Sequence, residues 1–247
     1  MRLLLWAVSL FTACYLPSSV PTDPAFRQDQ LRYPRVRDAY AVVGSNMQAV
    51  LREHHLDAER LELFIRALKV ERRVEAWGRN QGEGEYQLLR TFRLAGTSGT
   101  LGPKRRLHDG QVPEGFYYIN RFNPISQYHL SLGLDYPNAA DLVRSGLEDP
   151  GKDIFIHGSD VTIGCLPITD AGIRELYVLA VEARTAGQTA IPVHIFPFEL
   201  TAGNLAHRLG NPHVRFWQEL APGYQYFADH HQLPNVTVTE RGTYTVQ

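Results

Sequence analysis

Cysteine is the scarcest informative residue in this chain: Cys14 and Cys165 are the only two among 247 residues. A disulfide-stapled scaffold is thereby excluded, since such folds need several bridges. A surplus of one charge is also missing, with 25 Lys and Arg against 26 Asp and Glu. That balance gives neither a phosphate-neutralising surface nor a polyanionic tail, so nucleic acid is not an expected partner. No phosphate-cradling glycine motif or dinucleotide fingerprint occurs, and no organic cofactor is implied. The pairs His54-His55 and His230-His231 have no Cys or carboxylate at a familiar zinc spacing, so no metal is expected. The apolar run Leu3–Ala13 is too short to span a bilayer, and no other run reaches that length.

What is present fits one main globular domain with a terminal extension: 44% apolar and 21% charged residues. Arg2, the apolar run to Ala13 and the Pro-Ser-Ser-Val-Pro stretch that follows predict a secretory signal over residues 1–20, hence export to the periplasm or cell envelope. The alternative is a buried N-terminal core segment. Phe11-Thr12-Ala13-Cys14 resembles a bacterial lipobox, which would make Cys14 a lipidated membrane tether. Cys165 is then a lone cysteine: a reactive thiol, half of an intermolecular disulfide, or a small buried hydrophobe.

Pro, Asp and Gln are frequent over Pro17–Pro34 and predict a flexible linker, followed by an amphipathic helix over Val36–His55. Short β-branched and aromatic runs at Leu61–Ala67, Val74–Trp77, Tyr86–Leu94 and Phe116–Ile119 predict strands of antiparallel sheet, and further strands are expected at Tyr128–Leu132 and Asp153–Ile156. The Gly96–Gly110 connection, with Lys104-Arg105-Arg106, reads as a long exposed loop of the kind that often carries function. Thr169 or Asp170 is placed to cap a helix whose Ile173, Leu176, Tyr177, Ala180 and Ala183 share a face. A buried strand at Val193–Phe198, two short helices over Thr201–Asp229 and a frayed, Thr-rich tail from Asn235 complete the chain.

The chemistry-bearing stretch is Ile154-Phe155-Ile156-His157-Gly158-Ser159-Asp160-Val161-Thr162-Ile163-Gly164-Cys165. A loop this short can fold a thiol back toward an imidazole, the pairing that activates a cysteine nucleophile. Gly164 permits close backbone approach, and the N–H groups of Gly164 and Cys165 are the expected oxyanion donors. Gly158, Ser159 and Thr162 are candidates for shaping the site or holding substrate, and His129 for lining the cleft. Lys104, with its Arg neighbours, and Arg121 are candidates for a substrate carboxylate.

These residues, together with Phe64-Ile65-Arg66-Ala67, Gly102-Pro103-Lys104, Pro113-Glu114-Gly115-Phe116-Tyr117, Tyr128-His129-Leu130 and Val193-His194-Ile195-Phe196-Pro197-Phe198, make the chain similar to L,D-transpeptidase (YkuD-type) catalytic domains. Within them it most resembles the YafK-like murein L,D-transpeptidase/amidase subgroup. The resemblance runs from about Leu63 to Phe227. It implies a mainly β domain with packed helices, an L,D-transpeptidase-like β-sandwich with N- and C-terminal helical extensions. It also implies Cys165 as the acylated nucleophile and His157 as general base and acid. The broader family spaces its His and Cys almost twice as far apart, places a second His before Gly-Cys and follows the Cys with Arg or Asn. Here Ile163 and Leu166-Pro167 occupy those places.

The expected organisation is a leader over 1–20, a linker and helix over 21–60, the catalytic domain over 61–198, and a helical extension with tail over 199–247. The expected partners are peptidoglycan stem peptides and a peptidoglycan-linked lipoprotein, with the acyl group passed to an amine or to water. Two readings compete with this one. The first is a catalytically silent wall-binding lipoprotein; the second is a general cysteine peptidase of unrelated fold, whose local signatures are absent.

Overall fold

The computed structural model describes residues 21–247. The expected leader and Cys14 lie outside the described residues. The chain begins with α1 (Pro24–Gln30) and α2 (Pro34–Glu53), and a short turn of 3₁₀-helix leads into β1 (Leu61–Leu68), β2 (Arg73–Asn80) and β3 (Gln87–Arg93). There follow β4 (Gly115–Asn123), β5 (Ser131–Leu134), α3 (Ala139–Ser145), β6 (Phe155–His157) and β7 (Leu166–Pro167). The remainder is α4 (Thr169–Thr185), β8 (Ile191–Phe196), α5 (Ala202–Ala206), α6 (Val214–His230), β9 (Val236–Val238) and β10 (Tyr244–Val246).

Strands β1 to β8 form one curled sheet in the order β3-β2-β1-β8-β4-β5-β6-β7, and β9 with β10 makes a separate hairpin. The expected antiparallel pairing holds for β1 with β2 and β2 with β3, and β4 is antiparallel to β5 and β8, but the sheet as a whole is mixed. β8 lies parallel to β1, and β7 parallel to β6. The reason is the crossover through α4, which carries the chain back so that β8 inserts between β1 and β4, and a parallel neighbour requires such a connection.

Alternation along β1 divides the interior into two layers. Leu61, Leu63, Ile65 and Ala67 join the core under α2 and α4, whereas Phe64 and Leu68 point to the opposite face, where Phe227 and Trp217 of α6 cover them. α2 buries Val36, Ala39, Val43, Met47, Val50 and Leu51, an i, i+3, i+4 stripe set against α4. No helix among the described residues is long and apolar enough to cross a membrane.

Three expectations change at the ends of the chain. Part of the linker is helical: the Asp23 side chain caps α1 by accepting from Phe26 N–H at 3.2 Å, with Pro24 at the first position. Gln30 at its other end is buried and accepts from Tyr177 Oη at 2.6 Å. The second C-terminal helix is 17 residues long. The Thr-rich tail is a hairpin, held because Tyr244 is buried and its hydroxyl accepts from Asn138 Nδ2 at 2.8 Å.

Candidate active site

His157 is the last residue of β6, between Ser131 of β5 and Pro167 of β7 in the ladder. Its carbonyl accepts from Ile168 N–H at 2.9 Å, so both ends of the 158–165 loop are tied to neighbouring strands. Gly158 donates its N–H to Tyr128 O (3.1 Å) and Leu130 O (3.3 Å). A Cβ there would sit 2.4 Å from Asp170 Oδ1 and 2.7 Å from Tyr128 O, so the position requires glycine. Gly164 has φ +97° and faces Gln111 O, 2.9 Å from where a Cβ would stand.

Cys165 and His157 line one cavity of about 180 Å³ with Ser126, Tyr128, Ser131 and Phe155. Cys165 also lines a second, of about 360 Å³, with Lys69, Arg72, Ser98, Thr100 and Val112. Cys165 thus stands between the two cavities.

The imidazole is buried, and its Nδ1 lies 2.5 Å from Gly158 O. A carbonyl can only accept, so Nδ1 carries the proton and Nε2 is left with its lone pair. Tyr128 stacks on the ring at 4.7 Å with an interplanar angle of 32°. Burial pushes His157 below the ordinary histidine range, opposed by its bond to Gly158. Burial also pushes the Cys165 thiol up, against a Phe155 N–H and the Lys104 charge. Both shifts favour the uncharged forms, a thiol and a neutral imidazole.

A pH profile follows from those directions. For Cys165 and His157 acting as nucleophile and base, the reactive form would need His157 unprotonated, which the lowered value favours above about 6.5, and the raised thiol would not ionise by itself until above about 8.5. We expect kcat/KM to stay level between about pH 7 and 8.5 and to fall only on the acid side of the ordinary histidine value. A level rate continued down to pH 5 would instead indicate a preformed ion pair.

The expected oxyanion donors are occupied. Gly164 N–H donates to Ser98 Oγ at 2.7 Å. Cys165 N–H donates to Thr162 Oγ1 at 2.8 Å, and that hydroxyl donates in turn to Cys165 O at 2.8 Å. Thr162 is thus a clamp on the Cys165 backbone, and Ser98 is a hydroxyl of the second cavity backed by Gly164.

Other candidates sit away from the roles proposed for them. Lys104 is buried, with Nζ on Asp109 Oδ1 (2.7 Å) and Arg106 O (2.8 Å), so it pins the Gly96–Gly110 loop and is not available to a carboxylate. The loop itself is partly buried, with Gly96 packed so closely on Asp160 O that a Cβ would lie 2.2 Å away. Arg121 is half-exposed, paired with Asp153 at 2.9 Å and lying over Phe155. Ser159 donates its N–H to Asp170 Oδ1 at 2.8 Å while its hydroxyl faces Asp160. Asp170 thus serves the loop, and Thr169 caps α4 by accepting from Gly172 N–H at 3.2 Å. His129 packs beside Gly158 at φ +68° and lines neither cavity described above.

Tyr128 and Ser98 are the site residues that sequence reasoning left without a role. Tyr128 lies within Tyr128-His129-Leu130 beside a titratable residue that gives the stronger signal, and Ser98 lies in the glycine-rich Gly96–Gly110 loop with no signal of its own.

No family model matches the chain. It is 35% identical over 205 residues to the protein named "Putative L,D-transpeptidase YafK" of Escherichia coli K12, covering 82% of this chain and 81% of that one. The protein of the same name from Escherichia coli O157:H7 matches at the same identity and coverage. Among solved structures, the helical cell shape determining protein Pgp2 of Campylobacter jejuni aligns with a TM-score of 0.44 at 15% identity, covering 73% of each chain. L,D-transpeptidase 1 of Mycobacterium tuberculosis aligns at 0.29 with 13% identity, over 55% of this chain and 62% of that one. On its identity to the Escherichia coli proteins and the length over which it holds, this chain belongs to the L,D-transpeptidase family, in the YafK-type branch.

Proposed function

We propose that the chain is an exported acyl-transfer enzyme acting on peptidoglycan stem peptides, with Cys165 as nucleophile and His157 as base. The observation that carries this reading is that Cys165 and a buried His157, its Nε2 left as acceptor, share one cavity. Cys165 Sγ attacks the peptide carbonyl as its proton passes to His157 Nε2, and the imidazolium returns that proton to the departing amine. An amine or a water then opens the thioester. The Ser98 hydroxyl, which accepts from Gly164, keeps its own proton to donate toward the oxyanion.

Membership in the family supports the substrate class, and the apolar run Leu3–Ala13 supports export. Lipidation of Cys14, and a lipoprotein joined to peptidoglycan as substrate, belong to the same reading. Arg72, on the wall of the second cavity, takes the place of Lys104 as the candidate for a carboxylate.

A catalytically silent wall-binding protein is the second reading, favoured by the occupied N–H groups of Gly164 and Cys165. Incubation of the protein with a disaccharide-tetrapeptide and with a peptide-linked muropeptide, read by product masses, separates the two. Exchanged or crosslinked products mean transfer, and release of the linked peptide means hydrolysis. Unchanged substrates that still bind the protein would support the silent reading.

A further inference from the structure

Among the described residues no carboxylate orients the imidazole of His157: its Nδ1 rests on the carbonyl of the next residue, and its face rests on Tyr128. Both supports depend on the connection between β4 and β5. Tyr128 belongs to that connection, and the Gly158 peptide that presents the carbonyl is held through its N–H by Tyr128 O and Leu130 O. Ser126, Gln127 and Tyr128 of the same segment line the cavity with His157 and Cys165.

The segment is itself gripped from outside the catalytic sheet. Arg35, in the first turn of α2, donates through one guanidinium nitrogen to Ser126 O and to His129 O, the latter at 2.9 Å. Within the turn, Ser126 Oγ accepts from Tyr128 N–H at 3.1 Å, and His129 takes φ +68°, a conformation that a non-glycine residue holds only when its surroundings fix it. An unbroken series of contacts thus runs from α2, through the two carbonyls on either side of Tyr128, to both supports of the imidazole.

We infer that Arg35 is a positioning residue for His157, and that the N-terminal helical extension is part of the catalytic apparatus. The inference rests on the reading of Cys165 and His157 as the reacting pair. An imidazole displaced by a fraction of an ångström loses its line to the thiol while the substrate cavities are unaltered, so the effect falls on kcat.

The test compares Arg35→Met, which keeps the apolar stem, and Arg35→Lys, which keeps a donor, with the wild type. The readings are kcat and KM on a murein tetrapeptide and the pH dependence of Cys165 alkylation by iodoacetamide. Arg35→Met is expected to lower kcat about tenfold, a typical cost of losing an orienting partner, with KM little changed. Its alkylation should shift toward the pH range of an isolated, buried thiol, and Arg35→Lys should recover part of both effects. Unaltered kcat and an unaltered alkylation profile in Arg35→Met would overturn the inference. Alkylation of His157→Gln separates this from failure of the underlying reading: a profile equal to wild type there removes the Cys–His pair itself, whatever Arg35 does.

Discussion

Cys165→Ala is expected to leave turnover at the limit of detection, and His157→Gln to lower kcat by roughly 10²–10⁴-fold, the usual contribution of a positioned acid–base group. The two substitutions isolate different steps. Alanine removes the atom that forms the thioester, so no covalent route remains. Glutamine retains a donor for the Gly158 carbonyl on which Nδ1 now rests but has no nitrogen that can take a proton. Because burial holds the Cys165 thiol above its ordinary range, the loss in His157→Gln should shrink as pH rises and the thiol ionises unaided. Initial rates for the two variants and the wild type across pH check this. A His157→Gln deficit that is the same at every pH would mean that the imidazole shapes the site without moving the proton.

Glu114→Ala is expected to have the largest effect on stability, a loss of about 3–5 kcal/mol, the range for breaking a buried ion pair by removing one partner. Glu114 is fully buried. One carboxylate oxygen accepts from Lys69 Nζ (2.8 Å) and Gly102 N–H (3.0 Å), and the other accepts from Trp217 Nε1 (2.8 Å). Alanine leaves an ammonium, an amide and an indole without that acceptor in an apolar interior. The three donors come from the end of β1, the Gly96–Gly110 loop and α6, so the carboxylate joins the C-terminal helix to the wall of the second cavity. Thermal unfolding should show a fall in Tm of roughly 10 °C for a domain of this size, with reduced activity in what remains folded. A Tm within a degree or two of wild type would show that the surrounding structure relaxes around the loss.

Much of the fold can be read along the sequence because its signals are local. β1 and β8 are mainly apolar runs, broken only by Glu62, Arg66 and His194, as suits strands buried on both faces, and α4 carries its stripe from Ile173 to Ala183. Their pairing as parallel neighbours is not local, since it arises only when the crossover through α4 is in place. At the ends of the chain, composition misled. Asp23-Pro24 is a helix start inside a stretch that looks like a linker, and buried Tyr244, with Val236 beside the same core, seats a hairpin that otherwise looks polar.

The candidate site divides in the same way. Cys165, His157 and the glycines around them are close in sequence, and the strand–loop–strand geometry that joins them is short. Thr162 was legible as a neighbour but not as a clamp on both backbone groups of Cys165. Lys104 looked free because its partner Asp109 gave no signal of pairing, although it lies in the same loop. Arg35 was beyond reach for a different reason: its partners are carbonyls of residues distant in the chain, and a backbone carbonyl leaves no mark in the sequence.

The central claim is that Cys165 becomes acylated. The most direct test is the intact mass of wild type and Cys165→Ala, acid-quenched at short times after mixing with a disaccharide-tetrapeptide, followed by mapping of the modified residue. The account predicts, in the wild type alone, an added mass equal to the donor less its departing amino acid, located on Cys165. Products formed without such an adduct at any time, or an adduct of that mass in Cys165→Ala, would contradict it.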